Sequence, residues 1–126
     1  MSVVLDASAL LALLRGEAGA KKVEGALAGA RMSVVSMAEV ASHYHKLGMP
    51  DEVVDRMLRS LPVVLAAADA ALARDAARLS AHAPSLSLGE RFCLALARRD
   101  ALPAWTADRA WKDVASATGV KVVTIR

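Results

Sequence analysis

Five short strand-like runs are spread along the chain: SVVLD (2–6), MSVVS (32–36), PVVLA (62–66), PAWT (103–106) and VVTI (122–125). Between them lie longer stretches with helical spacing. ASALLALLRG follows the first run and ends near Gly16, and KKVEGALAG makes a second, shorter helix. After the second run, Met37, Val40, Ala41, Tyr44 and Leu47 fall at the i, i+3, i+4, i+7 positions of one helix face. Gly48 and Pro50 break that helix. DEVVDRMLRS then starts another, with Val53, Val54, Met57 and Leu58 predicted to face inward. DAALARDAARLSAH runs to Pro84, SLGERFCLALA opens the next helix at Ser87, and RAWKDVASATG is stopped by Gly119. Strands that alternate with helices predict a parallel sheet covered by helices, hence an α/β fold. The continuous apolar runs VVL and VVTI predict strands buried on both faces.

A chain of 126 residues suits one domain, here residues 1–126, and no repeat, low-complexity tract or long linker divides it. Hydrophobic residues make up 56% of it, which excludes a disordered chain, but aromatics only 3%, so Ala, Val and Leu must build the core. No apolar run approaches the ~18 residues of a membrane span. MSVVLD has no basic start, and Asp6 interrupts any signal-peptide core. Cys93 is the single cysteine and has no internal disulfide partner, which fits a reducing, cytoplasmic compartment. The net charge of +3 permits a nucleic-acid partner without requiring one.

Acidic residues recur where ligands gather in such folds, at the carboxyl ends of parallel strands. Asp6 ends the first run, Glu39 lies just past the second, and Asp108 follows PAWT by two residues. Glu90 stands in the first turn of a helix with no obvious strand before it. Each acid also has an ordinary use. Asp6 and Asp108 can cap helix N-termini, and Ser36–Glu39 and Ser87–Glu90 both have the Ser-x-x-Glu spacing of a capping box. Capping and a shared acidic site remain alternatives at this stage, and they are not exclusive. If the four acids converge, they repel one another unless a cation sits between them. Hard ions such as Mg²⁺ or Mn²⁺ suit oxygen ligands, activate water and neutralise charge on a phosphate. No GxxxxGK[ST], GxGxxG or GxSxG motif and no Cys/His cluster points to other chemistry.

Taken in order, VVLDASALLALL, SVVSMAEV, SLGERFCLALA and WTADRAW resemble the PIN-domain ribonucleases, and more narrowly the VapC toxins of type II toxin–antitoxin pairs. The resemblance runs from residue 2 to the final VVTI. It implies a single PIN-like domain with a central parallel sheet of about five strands flanked by helices. It also implies a Mg²⁺- or Mn²⁺-dependent endoribonuclease, a cognate VapB-like antitoxin as partner, an RNA substrate and a homodimer. By motif, Asp6, Glu39, Glu90 and Asp108 match the family's four acids, expected both as metal ligands and as catalytic residues. Ser8 and Thr106 match supporting hydroxyls. The third acid of the family is usually Asp, in an SLGDR- or SLADR-like stretch. Here Glu90 extends the carboxylate by one methylene, about 1.5 Å, so the rotamer or backbone must compensate. Otherwise Glu90 acts through a water or turns back to cap Ser87, leaving a weaker site.

Arg91, Arg109 and Lys112 follow site acids and are candidates for RNA phosphates. His43, four residues after Glu39, is read as a solvated neighbour, and His45 and His82 as surface residues. Cys93 is expected in the core, and Tyr44, Phe92 and Trp105 are expected as core or interface aromatics rather than base-stacking platforms. Two rivals stand beside the nuclease. One is a weakened relative that binds antitoxin or RNA without efficient cleavage. The other is a phosphoacceptor receiver domain, disfavoured because Asp69 starts a helix and Lys121 precedes the last strand.

Overall fold

A computed structural model describes residues 2–126; the first residue of the expected domain, Met1, lies outside them. Five parallel strands form one sheet: β1 (Val4–Leu5), β2 (Arg31–Ser33), β3 (Val64–Ala66), β4 (Ala104–Thr106) and β5 (Val122–Thr124). Their spatial order is β3-β2-β1-β4-β5. The described residues form seven α-helices: α1 (Ala7–Leu14), α2 (Ala20–Ala26), α3 (Val34–Lys46), α4 (Asp51–Arg59), α5 (Ala70–Arg78), α6 (Leu88–Asp100) and α7 (Lys112–Thr118). Short 3₁₀ turns follow α5, at Leu79–Ala81, and precede α7, at Arg109–Trp111. The α/β fold with a central parallel sheet of five strands is the expected one.

Alternation along β1 divides the core. Val4 joins Leu72, Ala76, Leu94, Leu96, Ala104 and Trp111 on the side of α5 and α6. Val3 and Leu5 point the other way, toward Ala9, Ala12 and Val23 of α1 and α2. A third cluster gathers Leu10, Met32, Val40, Tyr44 and Val54 from α1, β2, α3 and α4. Side chains as large as Leu10 and Leu94, fully removed from water, each stabilise the fold by about 2 kcal/mol. Cys93, Phe92 and Tyr44 are buried as expected, and Trp105 is half-buried.

Several boundaries differ from expectation. MSVVS does not run as a strand from 32 to 36: β2 stops at Ser33, whose side chain accepts the Val35 N–H at 3.1 Å and starts α3 at once. Local capping there outweighs the β-propensity of Val34 and Val35. PVVLA contributes only Val64–Ala66. Because β3 is a sheet edge, Val64 and Leu65 remain exposed. β5 is the opposite edge, so its VVT is half-buried where full burial was expected. Leu47 and Val53, assigned to inward faces, are also exposed: Leu47 lies past the end of α3, and Val53 lies off the face that buries Val54.

Candidate active site

The chain builds β1, β2 and β3 outward on one side, then returns to place β4 and β5 on the other. Between β1 and β4 the direction of winding reverses, which opens a crevice at the carboxyl ends of those strands. Asp6 and Asp108 leave β1 and β4 at that edge, and Glu39 comes from α3 just after β2. Glu90 reaches the same edge by a different route. Helix α6 leads into β4 and must run back across the sheet, so its N-terminus starts where the strands end. A cleft of about 410 Å³ results, lined by all four acids together with Ser8, Ser36, Ser87 and Gly89, among others.

Asp6 is the most constrained of the four. It is buried, and its Oδ1 accepts the Ala9 N–H at 2.8 Å as the N-cap of α1. The Ser8 hydroxyl bonds the carboxylate at 2.7 Å, and Thr106 donates to Oδ2 at 2.6 Å from the end of β4. Ser8 also accepts the Ala107 N–H at 3.0 Å, and Thr106 accepts the Asp108 N–H at 3.0 Å. One hydrogen-bonded unit thus ties β1 to β4 through Asp6, Ser8 and Thr106. Burial raises the pKa of Asp6 above the usual carboxylate value, its three donors pull it down, and Glu90 pushes it up again. Asp108 caps the 3₁₀ turn by accepting the Ala110 N–H at 2.9 Å.

Glu39 is not part of a capping box, contrary to one of the two sequence alternatives. With Ser33 as the cap, Ser36 lies inside α3, buried, and its hydroxyl has no hydrogen-bond partner while lining the cleft. Glu39 lies one turn later, with its carboxylate against Gly89. A Cβ at position 89 would fall 2.6 Å from the Glu39 Cδ, so a larger residue there would push the Glu39 carboxylate out of its present place. Desolvation, then the charges of Glu90 and Asp6, raise the Glu39 pKa.

Glu90 combines both of its sequence readings. The capping box is complete: Ser87 Oγ accepts the Glu90 N–H at 3.2 Å, and Glu90 Oε1 accepts the Ser87 N–H at 2.8 Å. The same carboxylate lines the cleft, and its Oε2 accepts the Trp111 indole N–H at 2.6 Å. Trp111 escaped the sequence reading, although one signal was available. A buried Trp needs an acceptor for its N–H, and this one lies a single turn past Asp108.

Arg91, Arg109 and Lys112 do not line the cleft. The Arg91 Nε is buried without a partner, Arg109 donates to the Arg126 carbonyl at 3.3 Å, and Lys112 is exposed. His43 faces an adjoining groove with Ser42 and Lys46, while His45 lies 3.4 Å from Asp51. Among the described residues, no three His, Cys, Asp or Glu side chains are close enough together to enclose a metal ion directly. The donor set still suits a hard cation: two carboxylates whose pKa values are raised by burial and, secondarily, by neighbouring negative charge, and an orphaned buried hydroxyl in their cleft. An ion that keeps several of its waters fits such a spacing better than one that needs a full protein cage.

The sequence model of the PIN domain matches residues 3–117, a span that includes all four acids. The chain belongs to the PIN-domain family. A VapC ribonuclease of Mycobacterium bovis and ribonuclease VapC42 of Mycobacterium tuberculosis are each 32% identical to this PIN domain, over 76% of its length and 82% of theirs. A toxin–antitoxin complex from Klebsiella pneumoniae contains a chain of the same fold, with a TM-score of 0.76 and 25% identity over 98% of both chains. VapBC2 of Rickettsia felis, solved bound to a promoter DNA fragment, shares the fold at a TM-score of 0.70, 10% identity and 98% coverage of both. No helix among the described residues is long and apolar enough to cross a membrane.

Proposed function

We propose that this PIN domain is a Mg²⁺- or Mn²⁺-dependent endoribonuclease, the VapC-like toxin of a type II toxin–antitoxin pair. The observation that carries the proposal is the single cleft at the winding reversal lined by Asp6, Glu39, Glu90 and Asp108. The names of the M. bovis and M. tuberculosis relatives support ribonuclease activity, and the Klebsiella complex supports an antitoxin partner. A VapB-like antitoxin, a homodimeric state and a cytoplasmic setting complete the proposal.

In this mechanism Asp6, Glu90 and Asp108 would hold the ion, largely through waters it keeps, and Glu39 would help to place a second ion or a water. The ion would supply positive charge against the phosphate and a water of lowered pKa. The chain's own contribution is placement. Ser8 and Thr106 lock the Asp6 rotamer, so that carboxylate keeps one orientation while substrate enters. Glu39, exposed at the cleft, would orient the attacking water. Arg109, in the 3₁₀ turn beyond Asp108, and Lys112, at the start of α7, are both exposed, and their charges would attract RNA phosphates. Arg91, half-buried with its Nε lacking a partner, would add positive potential beside the cleft.

The test uses antitoxin-free protein and structured RNA in Mg²⁺, Mn²⁺ or EDTA, with Asp6→Ala prepared in parallel. Ion-dependent cleavage that leaves 5′-phosphate and 3′-hydroxyl ends, and is absent from Asp6→Ala, is the expected result. Products ending in 2′,3′-cyclic phosphate would mean attack by the RNA's own 2′-hydroxyl and would overturn the mechanism. Binding of RNA or antitoxin without cleavage in any ion would favour the second reading, a weakened nuclease, for which the commitment of Glu90 to its helix cap is the supporting observation.

A further inference from the structure

Glu90 and Trp111 form a buried-donor, carboxylate-acceptor pair at the back of the cleft. Trp111 is fully buried, so no water can replace its acceptor. Its indole N–H meets Glu90 Oε2 at 2.6 Å, while the Ser87 N–H meets Oε1 at 2.8 Å. The two donors reach different oxygens of the carboxylate, one from the start of α6 and one from the turn that follows Asp108. Together they fold the glutamate back on itself. An ionised carboxylate has about four acceptor positions, so two remain for the cleft. An aspartate at 90, about 1.5 Å shorter, could not span both donors and would leave the indole N–H buried without a partner.

We infer that Trp111 is a positioning residue for Glu90: its indole N–H, together with the α6 cap, retracts the longer carboxylate to the cleft wall, where it stands with Asp6, Glu39 and Asp108. The consequence is that positions 90 and 111 are one unit. Glutamate works at 90 because a donor waits for it at 111, and aspartate would work there only once that donor is gone. This rests on the reading of the cleft as an ion-holding site, and it makes Glu90→Asp by itself a damaging change rather than a repair.

Two measurements on the full chain test it. In metal-free protein, ¹H–¹⁵N spectra should contain an indole signal for each of Trp105 and Trp111, assigned by loss in Trp111→Phe. Trp105 has no partner for its Nε1 and serves as the internal reference. Glu90→Gln keeps the capping-box side chain but removes the charge, so the Trp111 signal should move upfield while that of Trp105 stays. In the second measurement, Mg²⁺ affinity by calorimetry should fall about tenfold in Glu90→Asp and about tenfold in Trp111→Phe. The double variant Glu90→Asp/Trp111→Phe should return to within about threefold of the parent, because coupled changes are non-additive.

A Trp111 indole signal unmoved by Glu90→Gln would overturn the pair, and assigning the other signal by its loss in Trp105→Phe keeps that arm independent of how well Trp111→Phe folds. Mg²⁺ binding by Glu90→Asp alone at parental affinity would overturn the dependence. An intact indole response in a parent protein that binds no Mg²⁺ would be the separate failure of the ion-holding reading, and it would end the positioning role by leaving only a structural hydrogen bond.

Discussion

Asp6 and Glu39 represent two ways of keeping a carboxylate in a crowded cleft. Asp6 is buried and surrounded by donors, whereas Glu39 is open to solvent on one side and faces like charges on the other. Both titrate above their free values of 3.8 and 4.5. Their contribution to stability is therefore fully present below about pH 4, where folded and unfolded states are both protonated, and it is lost as pH rises through the folded values. Glu39→Gln removes one of the repelling charges without breaking a structural hydrogen bond. In EDTA at pH 7 it should raise the melting temperature by about 2 °C, a modest gain because solvent screens the open side. Melts from pH 4 to 8 should show a flatter decline than the parent, and identical curves would exclude the repulsion. Ser36 has the complementary cost, a buried hydroxyl with no partner inside a helix. Ser36→Ala should stabilise the metal-free protein by about 0.5–1 kcal/mol in urea unfolding, from better helix propensity and the loss of an unsatisfied group.

At the scale of elements, competition between local signals decides where strands and helices meet. MSVVS has the composition of a strand, yet the Ser33 hydroxyl captures the Val35 N–H and begins α3 two residues before the run ends. That shift converts Ser36 from a cap into a cleft residue and frees Glu39 from capping. In α6 the same Ser-x-x-Glu spacing forms a full capping box. Identical spacings thus gave opposite outcomes, because Ser33 already caps α3 three residues before Ser36, whereas α6 begins at Ser87 itself. The start of α2 depends on a different constraint. Gly19 has φ +93°, and a Cβ there would lie 2.7 Å from the Ile125 carbonyl oxygen and 2.8 Å from its Cγ1. Gly19→Ala should cost more than about 2 kcal/mol, from strain at positive φ plus displacement of the chain after β5. Chemical denaturation checks this, and a loss under 0.5 kcal/mol would mean that the approach relaxes freely.

For the whole molecule, the sheet order β3-β2-β1-β4-β5 matters most, because it sets the winding reversal beside β1. An ion bound by acids from β1, α3, α6 and the turn after β4 would join four separate parts of the chain. Mg²⁺ at about a hundred times its Kd should therefore raise the melting temperature by about 10 °C. Asp6→Asn, which can still accept the α1 cap hydrogen bond, should lose most of that shift. An equal shift in the variant, followed by differential scanning calorimetry, would place the ion elsewhere. The sequence by itself determined the α/β class, the strand and helix order and the identity of the four acids, because hydrophobic periodicity, helix stops and short motifs are local signals. It also carried the glutamate at position 90, where the resemblance leads one to expect aspartate. Only the tertiary structure decided that α6 runs back to the sheet edge, so that Glu90 enters a cleft that no preceding strand announces. It alone also decided that β3 and β5 are edges, that Ser36 is an orphan, and that the Trp111 indole N–H meets the Glu90 carboxylate. Each of these depends on which parts of the chain, distant in sequence, come within hydrogen-bonding reach, and periodicity along a chain carries no record of that.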